Sequence, residues 1–223
     1  MSAKGKEIIE ELRSVVSGKT LDAILPPMVF VIVNGAFGVE VAVVSAIVLS
    51  LLLGLIRLFR RQTWLYALGG LAGVLFASVL AYLTRNPANF FIGAIVSSSV
   101  VLTVAVVSLI VGKPMAAWVS HLSRGWPLEW FWRKDVKPAY REVTGFWSVF
   151  FLLRLVLQII LFSRGNPTGL AWVNLLLGWP VTLIVLIASY IYGIWRLSQL
   201  KGPGVEEFKE GRQPPWKGQT RGF

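Results

Sequence analysis

An arginine inside a long apolar stretch is the feature that most constrains this chain. Residues 140–163 form an apolar run that contains Arg154 and Gln158. A run of about 20 apolar residues is long enough for a helix to cross a hydrocarbon core of roughly 30 Å. Because a charge at that depth costs about 2.5–3.5 kcal/mol on insertion scales, such a side chain usually faces other helices or a wet cavity. The sequence therefore predicts that other parts of the chain provide polar partners for Arg154.

The rest of the chain has the composition of a membrane protein. Hydrophobic residues make up 55% of it, and the mean hydropathy is +0.67, which excludes an ordinary soluble domain. We predict an all-α, polytopic protein with six transmembrane helices arranged as three hairpins, at residues 21–37, 39–59, 65–83, 90–111, 140–163 and 168–197.

The predicted membrane domain, residues 20–197, has a polar segment on either side. Residues 1–19 are expected to form a cytosolic amphipathic segment, because apolar side chains recur there at helical spacing. Residues 198–223 form a basic, glycine- and proline-containing tail that we expect to be disordered. Between the fourth and fifth spans, residues 112–141 alternate tryptophan with basic residues, which predicts an interfacial connector with a short helix at 114–122.

Prolines and small residues predict local features of the spans. A bend or a late helix start is expected at Pro26 and Pro27, and a break at residues 178–180. Two connections place an arginine shortly before Asn-Pro, at Asn86 and Asn166, which predicts that a new helix starts at each following proline. Small residues at four-residue spacing predict close helix packing on the second, third and fourth spans: Ala46, Ser50, Gly54, Gly69, Gly73, Ala77, Gly93 and Ser97.

The distribution of Lys and Arg predicts the orientation of the spans. Nineteen of these residues fall in the N-terminal segment, the second and fourth connections and the tail. The other connections together carry two, Arg85 and Arg164. Since cytoplasmic loops carry the excess of positive charge, both termini are expected in the cytoplasm.

Polar residues in the spans form the candidate site. At about 1.5 Å rise per residue, five of them fall within roughly 13 Å of the outer surface. They are Arg154, Gln158, Asn174, Asn34 and Glu40. We predict that they meet in one intramembrane cluster, and three roles stay open. The cluster is a structural tie between helices, or it lines an outward-facing cavity for an anion, lipid headgroup or coupling ion, or Arg154 snorkels outward alone.

The remaining polar residues indicate no enzyme. Asp22 near the start of the first span is a candidate for the cytosolic face, or it simply favours the positive end of the helix dipole. The single histidine, His121, and the lack of cysteine predict no metal site and no cofactor. The net charge of +11 lies beside the spans, so anionic lipid headgroups are the expected partners rather than nucleic acid, with a protein partner or homo-oligomer open.

Three motifs together resemble a known family. They are Asp22-Ala-Ile-Leu-Pro26-Pro27, Gly112-Lys-Pro114-Met and the stretch Phe146 to Gln158 that carries Arg154. The chain resembles a family of uncharacterised actinobacterial-type integral membrane proteins, which is distantly similar to the intracellular septation protein A family. The resemblance implies the bacterial cytoplasmic (inner) membrane as the location. It implies no known activity, and we expect a non-enzymatic interaction or envelope-organising role, or alternatively a small transporter or channel-like protein.

Overall fold

The structure, a computed structural model, describes residues 19–59, 64–219 and 222–223, and every regular element in these residues is helical. The predicted amphipathic segment lies outside the described residues, except for Lys19. The α-helices are α1 (Lys19–Phe37), α2 (Val39–Phe59), α3 (Trp64–Thr84), α4 (Ile92–Ile110), α5 (Met115–Arg124), α6 (Leu128–Phe131), α7 (Lys137–Ser163), α8 (Pro167–Leu176), α9 (Trp179–Leu200) and α10 (Val205–Lys209). A 3-10 helix, Pro87–Phe91, precedes α4.

Four stretches are long and apolar enough to cross a membrane. They are Val39–Ile56, Pro87–Ile110, Lys137–Ser163 and Pro167–Leu200. Two shorter apolar helices, Leu25–Phe37 and Leu68–Thr84, complete the set in the described residues. The predicted class, an all-α protein with several candidate membrane spans, is therefore confirmed.

The chain divides into two compact units. The first comprises Met1–Ile95 and Gln158–Trp179, and the second comprises Val96–Leu157 and Pro180–Phe223. Each unit has its own cluster of buried apolar side chains.

The first unit begins with a helical hairpin. Gly38 separates α1 from α2 and adopts φ +84°, a conformation that glycine tolerates and most residues do not. Its N–H donates to the Asn34 carbonyl oxygen at 3.1 Å, so the backbone is hydrogen-bonded through the turn. The core beside this hairpin contains Phe30, which is fully buried and stacks on Phe90 with ring centroids 4.1 Å apart.

The two Asn-Pro turns have closely similar structures, as their sequences predict. Asn86 precedes the 3-10 helix and accepts a hydrogen bond from the N–H of Ala88 at 3.0 Å. Asn166 precedes α8 and accepts from the N–H of Gly169 at 2.8 Å. In both turns the residue before the asparagine has a positive φ, and the fourth and fifth residues after it are buried in the same core: Phe90 and Phe91, and Leu170 and Ala171.

The late start predicted for the first helix is wrong, because α1 already begins at Lys19 and Pro26 and Pro27 lie inside it. The alternative, a bend at these prolines, stays a prediction. The small-residue spacing on α2 does correspond to packing at Ala46 and Ser50, which are buried. On α3, however, a Cβ added at Gly69 or Gly73 would meet no described atom within 4 Å. These glycines therefore make no close helix contact in the described part of the chain.

In the second unit the connector folds into a small core. The predicted short helix is present as α5, and α6 follows it. Trp130 on α6 is fully buried, together with Phe131 and Tyr140. Its indole N–H donates to the carbonyl oxygen of Pro203 at 2.9 Å. Trp130 is therefore a core residue and not the interfacial side chain that the sequence predicted.

The tail is folded rather than disordered. It contains α10, and Val205 and Glu207 are buried. The ring of Phe223 stacks on Tyr140 with centroids 4.3 Å apart, and an added Cβ at Gly193 would lie 2.3 Å from that ring. The prediction of disorder failed because composition does not reveal the contacts that a tail makes with an aromatic connector.

Candidate functional site

Two of the five predicted intramembrane residues meet in the first unit. Gln158 on α7 is fully buried, and its Nε2 donates to Asn174 Oδ1 on α8 at 2.8 Å. Asn174 Nδ2 in turn donates to the carbonyl oxygen of Leu170 at 2.8 Å. Among the described residues, no donor reaches Gln158 Oε1. The pair joins two helices through a hydrogen bond between uncharged amides.

The helix that carries Asn174 ends just beyond it. Helix α8 stops at Leu176, and α9 begins at Trp179, so the predicted break in the last span is confirmed. A Cβ added at Gly178 would collide with the carbonyl oxygen of Asn174. The backbone approach at this turn therefore requires a glycine.

The other predicted residues lie on α1, α2 and α7. Arg154 is partly buried on α7 and belongs to the second unit. Asn34 is partly buried near the end of α1, and Glu40 is exposed in the first turn of α2. The side chain of Asp22 lies outside the described part of the chain. The five-residue cluster thus stays a prediction beyond its Gln158–Asn174 pair.

Sequence reasoning missed an ion pair in the second unit. Arg196 on α9 binds the carboxylate of Glu142 on α7 through Nε and Nη2, at 2.8 and 3.0 Å. The hydroxyl of Tyr192 donates to the same carboxylate at 2.7 Å. The predicted topology places the start of the fifth span and the end of the sixth on one side of the membrane. That placement was a usable signal, because it brings Glu142 and Arg196 to similar depth.

A second missed feature is the carboxylate of Glu207 in the tail. Oε2 accepts hydrogen bonds from the N–H groups of Gly204 at 2.9 Å and Gly218 at 3.1 Å. Oε1 accepts from the N–H of Lys217 at 2.8 Å. These bonds hold the pKa of Glu207 below its ordinary value, since backbone N–H groups stabilise the charged form. One side chain thus fixes both ends of the tail's loop around α10.

The connector residue Arg133 also contacts the tail. Its guanidinium binds Asp135 at 2.7 and 2.9 Å and lies 5.8 Å from the Phe208 ring centroid and 5.3 Å from that of Trp216. Cation–π contacts of this kind contribute about 0.5–1 kcal/mol at exposed sites. We call the connector, residues 112–141, and the described tail, residues 198–219 and 222–223, together the platform.

The platform surface is rich in positive charge. Eight of its basic residues are exposed: Lys113, Arg124, Lys134, Arg141, Lys201, Lys209, Arg212 and Lys217. Of these, Arg212 forms an ion pair with Glu210. No group of three or more potential metal ligands occurs in the described residues. The chemistry that this surface offers is recognition of negative charge by exposed cations.

These features define a class of protein: an all-helical chain with several candidate membrane spans and a folded polar platform. The chain belongs to the family described as Protein of unknown function (DUF3159), whose model matches residues 16–197. No curated protein matches the chain, and no solved structure matches it either. The matched region ends at Leu197, so the tail that completes the platform lies beyond it.

The Gln158–Asn174 bond predicts a measurable coupling between two side chains. In a double-mutant cycle with Gln158→Leu and Asn174→Leu, we expect a coupling free energy of about 0.6 kcal/mol. This value is the average for side-chain hydrogen bonds between membrane helices, and about 1.7 kcal/mol is the largest. Reversible unfolding in mixed micelles provides the measurement. The Asn174–Leu170 bond does not enter this coupling free energy, because the cycle subtracts the effect of each single substitution. Strictly additive effects of the two substitutions would show that the bond contributes nothing.

The Glu207 geometry predicts a pH-dependent tail. Its pKa is lowered on folding, so its stabilising effect is complete above the ordinary pKa of a glutamate and is lost as the pH falls through the lowered value. Hydrogen exchange, corrected for the intrinsic rate at each pH, should show protection of the Gly204, Lys217 and Gly218 N–H groups that disappears in this range. Glu207→Gln should remove this protection at neutral pH. The matched control is Glu206→Gln, which changes an exposed neighbour and should leave it intact.

Proposed function

We propose that this protein is a non-enzymatic scaffold of the bacterial cytoplasmic membrane, with six spans and both termini in the cytoplasm. In this role it organises envelope components by binding partners on its cytosolic platform. The resemblance of its motifs to an actinobacterial-type family, and more distantly to the septation protein A family, supports the bacterial location. The single histidine and the lack of cysteine support a role without catalysis.

The observation that carries this proposal is the folded platform itself. A loop or tail that only connects spans has no need of a buried core. Here a fully buried Trp130 binds the tail backbone, and Glu207 accepts three backbone hydrogen bonds. Ordering the backbone of the connector and tail costs roughly 1–2 kcal/mol of conformational entropy per residue. A fixed, basic surface is what an interaction protein requires, because ordering the surface beforehand lowers the cost of binding.

The four long candidates together with the two shorter apolar helices support six spans. Helix α3 has 21 residues in all, which at 1.5 Å per residue is about 30 Å. Helix α1 has 19 residues. The concentration of Lys and Arg in alternate connections supports a cytoplasmic platform, with the two Asn-Pro turns outside.

Cysteine labelling tests the placement of the platform. The chain has no cysteine, so single cysteines at exposed positions need no background changes. We expect a membrane-impermeant maleimide to label Arg85→Cys and Arg164→Cys in intact cells. Lys134→Cys should react only after the cells are permeabilised. Labelling of Lys134→Cys in intact cells would place the platform outside and remove the basis for a cytosolic scaffold.

One observation favours a second function, that of a small transporter or channel-like protein with an outward-facing polar cavity around Arg154. The last span is broken between α8 and α9, and irregular backbone at membrane depth occurs at transporter binding sites. The first span, however, continues as a helix through Pro26 and Pro27. Since the transport hypothesis predicts breaks in both spans, the structure supports it less than it supports the scaffold.

Reconstitution separates the two functions. In liposomes that contain the wild-type protein or the Arg154→Ala variant, we expect no uptake of small anions or cations above that of protein-free vesicles. The variant is expected to differ only in stability, because it removes a partly buried cation. Uptake by the wild type that Arg154→Ala abolishes, with the variant still folded, would replace the scaffold with a transporter.

A further inference from the structure

Helix α5 has an exposed apolar face that its own unit does not cover. Leu122 is 81% exposed, Val119 57% and Trp118 38%. These residues lie on one side of the helix, because positions three and four apart share a face. The opposite side carries the buried residues Ala117 and Ser120. The helix is therefore amphipathic, with a buried inner face and an exposed outer face.

Contacts at the first turn and along the inner side fix which face points outward. The backbone N–H of Met115 donates to Ser108 Oγ at 2.9 Å, and that of Ala116 donates to Thr144 Oγ1 at 3.1 Å. Ala117 and Ser120 are buried against the same unit. Because the start of the helix is hydrogen-bonded and its inner side is packed, the outer face is a fixed surface of the platform.

The length and position of α5 indicate what covers this face. Its 10 residues extend about 15 Å, half the thickness of a hydrocarbon core, so it does not span. It follows the candidate span that ends at Ile110, and Ile110 and Val111 are themselves 78% and 63% exposed. Exposed apolar side chains are therefore present both at the end of the span and on the outer face of α5.

The charges at the ends of the helix select the kind of lipid. Lys113 precedes the helix, Arg124 ends it, and both are exposed. The guanidinium of Arg124 also lies 5.2 Å from the Trp126 ring centroid. Residues 112–128 contain no aspartate or glutamate. An amphipathic helix with a cation at each end and leucine and tryptophan on its face is typical of segments that lie in the interface of anionic membranes.

We propose that α5 is a membrane-surface anchor, which inserts Trp118, Val119 and Leu122 at the headgroup boundary while Lys113 and Arg124 bind the phosphates of anionic lipids. This inference deepens the proposed function, since it names anionic lipid as one partner of the platform. The anchor holds α5 and the connector against the inner leaflet. The tail, with Lys209 and Lys217 exposed, then remains available to other partners.

Spin labels at single cysteines test the anchor in the full-length protein. The protein is reconstituted into vesicles of phosphatidylcholine with phosphatidylglycerol, and the accessibility of each label to oxygen and to a water-soluble nickel complex is measured. Val104→Cys, on the exposed side of a candidate span, is the lipid standard, and Glu206→Cys on the exposed tail helix is the aqueous standard. Because the proposed position is the headgroup boundary, we expect Leu122→Cys to be more accessible to oxygen and less accessible to nickel than the aqueous standard, with values between the two standards. Values equal to the aqueous standard would overturn the proposal.

Charge variants test the lipid class. In Lys113→Gln/Arg124→Gln, the ratio of membrane-bound to free label at position 122 should fall by roughly fivefold per cation removed at low salt. The control Lys209→Gln/Lys217→Gln removes the same number of charges from the tail and should leave the ratio at position 122 unchanged. Equal insertion in phosphatidylcholine alone, unaffected by the first pair, would overturn the assignment to anionic lipid. To confirm that each variant is folded, its unfolding temperature is compared with that of the wild type. The hydrogen-exchange protection of the N–H groups that Glu207 binds is compared in the same way.

The two proposals fail in different experiments. Solute uptake in the reconstitution assay would overturn the scaffold and leave the α5 anchor intact. An aqueous label at position 122 would overturn the anchor alone, since partner binding through the tail does not require it.

Discussion

The backbone hydrogen bond is the constraint on which the rest of this structure depends. In hydrocarbon no water satisfies the N–H and C=O groups, so a chain with candidate membrane spans must form them as helices, and the N–H and C=O groups left free at each helix end need partners. Asn86 and Asn166 provide it at two helix starts, and Ser108 and Thr144 provide it at a third. The carboxylate of Glu207 does the same for the tail. Each of these side chains accepts a backbone hydrogen bond and thereby also fixes the direction in which the chain continues.

The two units use their polar residues differently. In the first, Gln158 and Asn174 join two helices through uncharged amides. In the second, Arg154 lies partly buried on α7, whereas the ion pairs lie in or beside the platform, where Arg196 binds Glu142 and Arg133 contacts tail aromatics. Ion pairs are more costly to bury than amide pairs. The position of these ion pairs directs attention to the platform as the functional surface.

Much of the fold and part of the site could be predicted. Apolar run length predicted the helices, and the Asn-Pro pairs predicted two helix starts, because these signals act within a few residues. The Gln158–Asn174 bond was also within reach, since depth follows from position along a helix. The platform core could not be predicted, because tryptophan and arginine are as typical of a membrane interface as of a small folded unit. Pro26 and Pro27 misled for a related reason: a helix tolerates proline when its neighbours compensate for the lost bonds.

The sequence by itself determined the class of this protein, the approximate limits of its helices and the turns at Gly38, Asn86 and Asn166. Those features depend on hydrophobic length and on local backbone preference, which adjacent residues carry. Only the tertiary structure decided that the tail folds on Trp130 and Glu207, that Glu142 binds Arg196, and that α5 turns Leu122 outward. The hydrogen bond from Trp130, for example, joins residues 73 positions apart, and a linear pattern does not specify which distant groups meet.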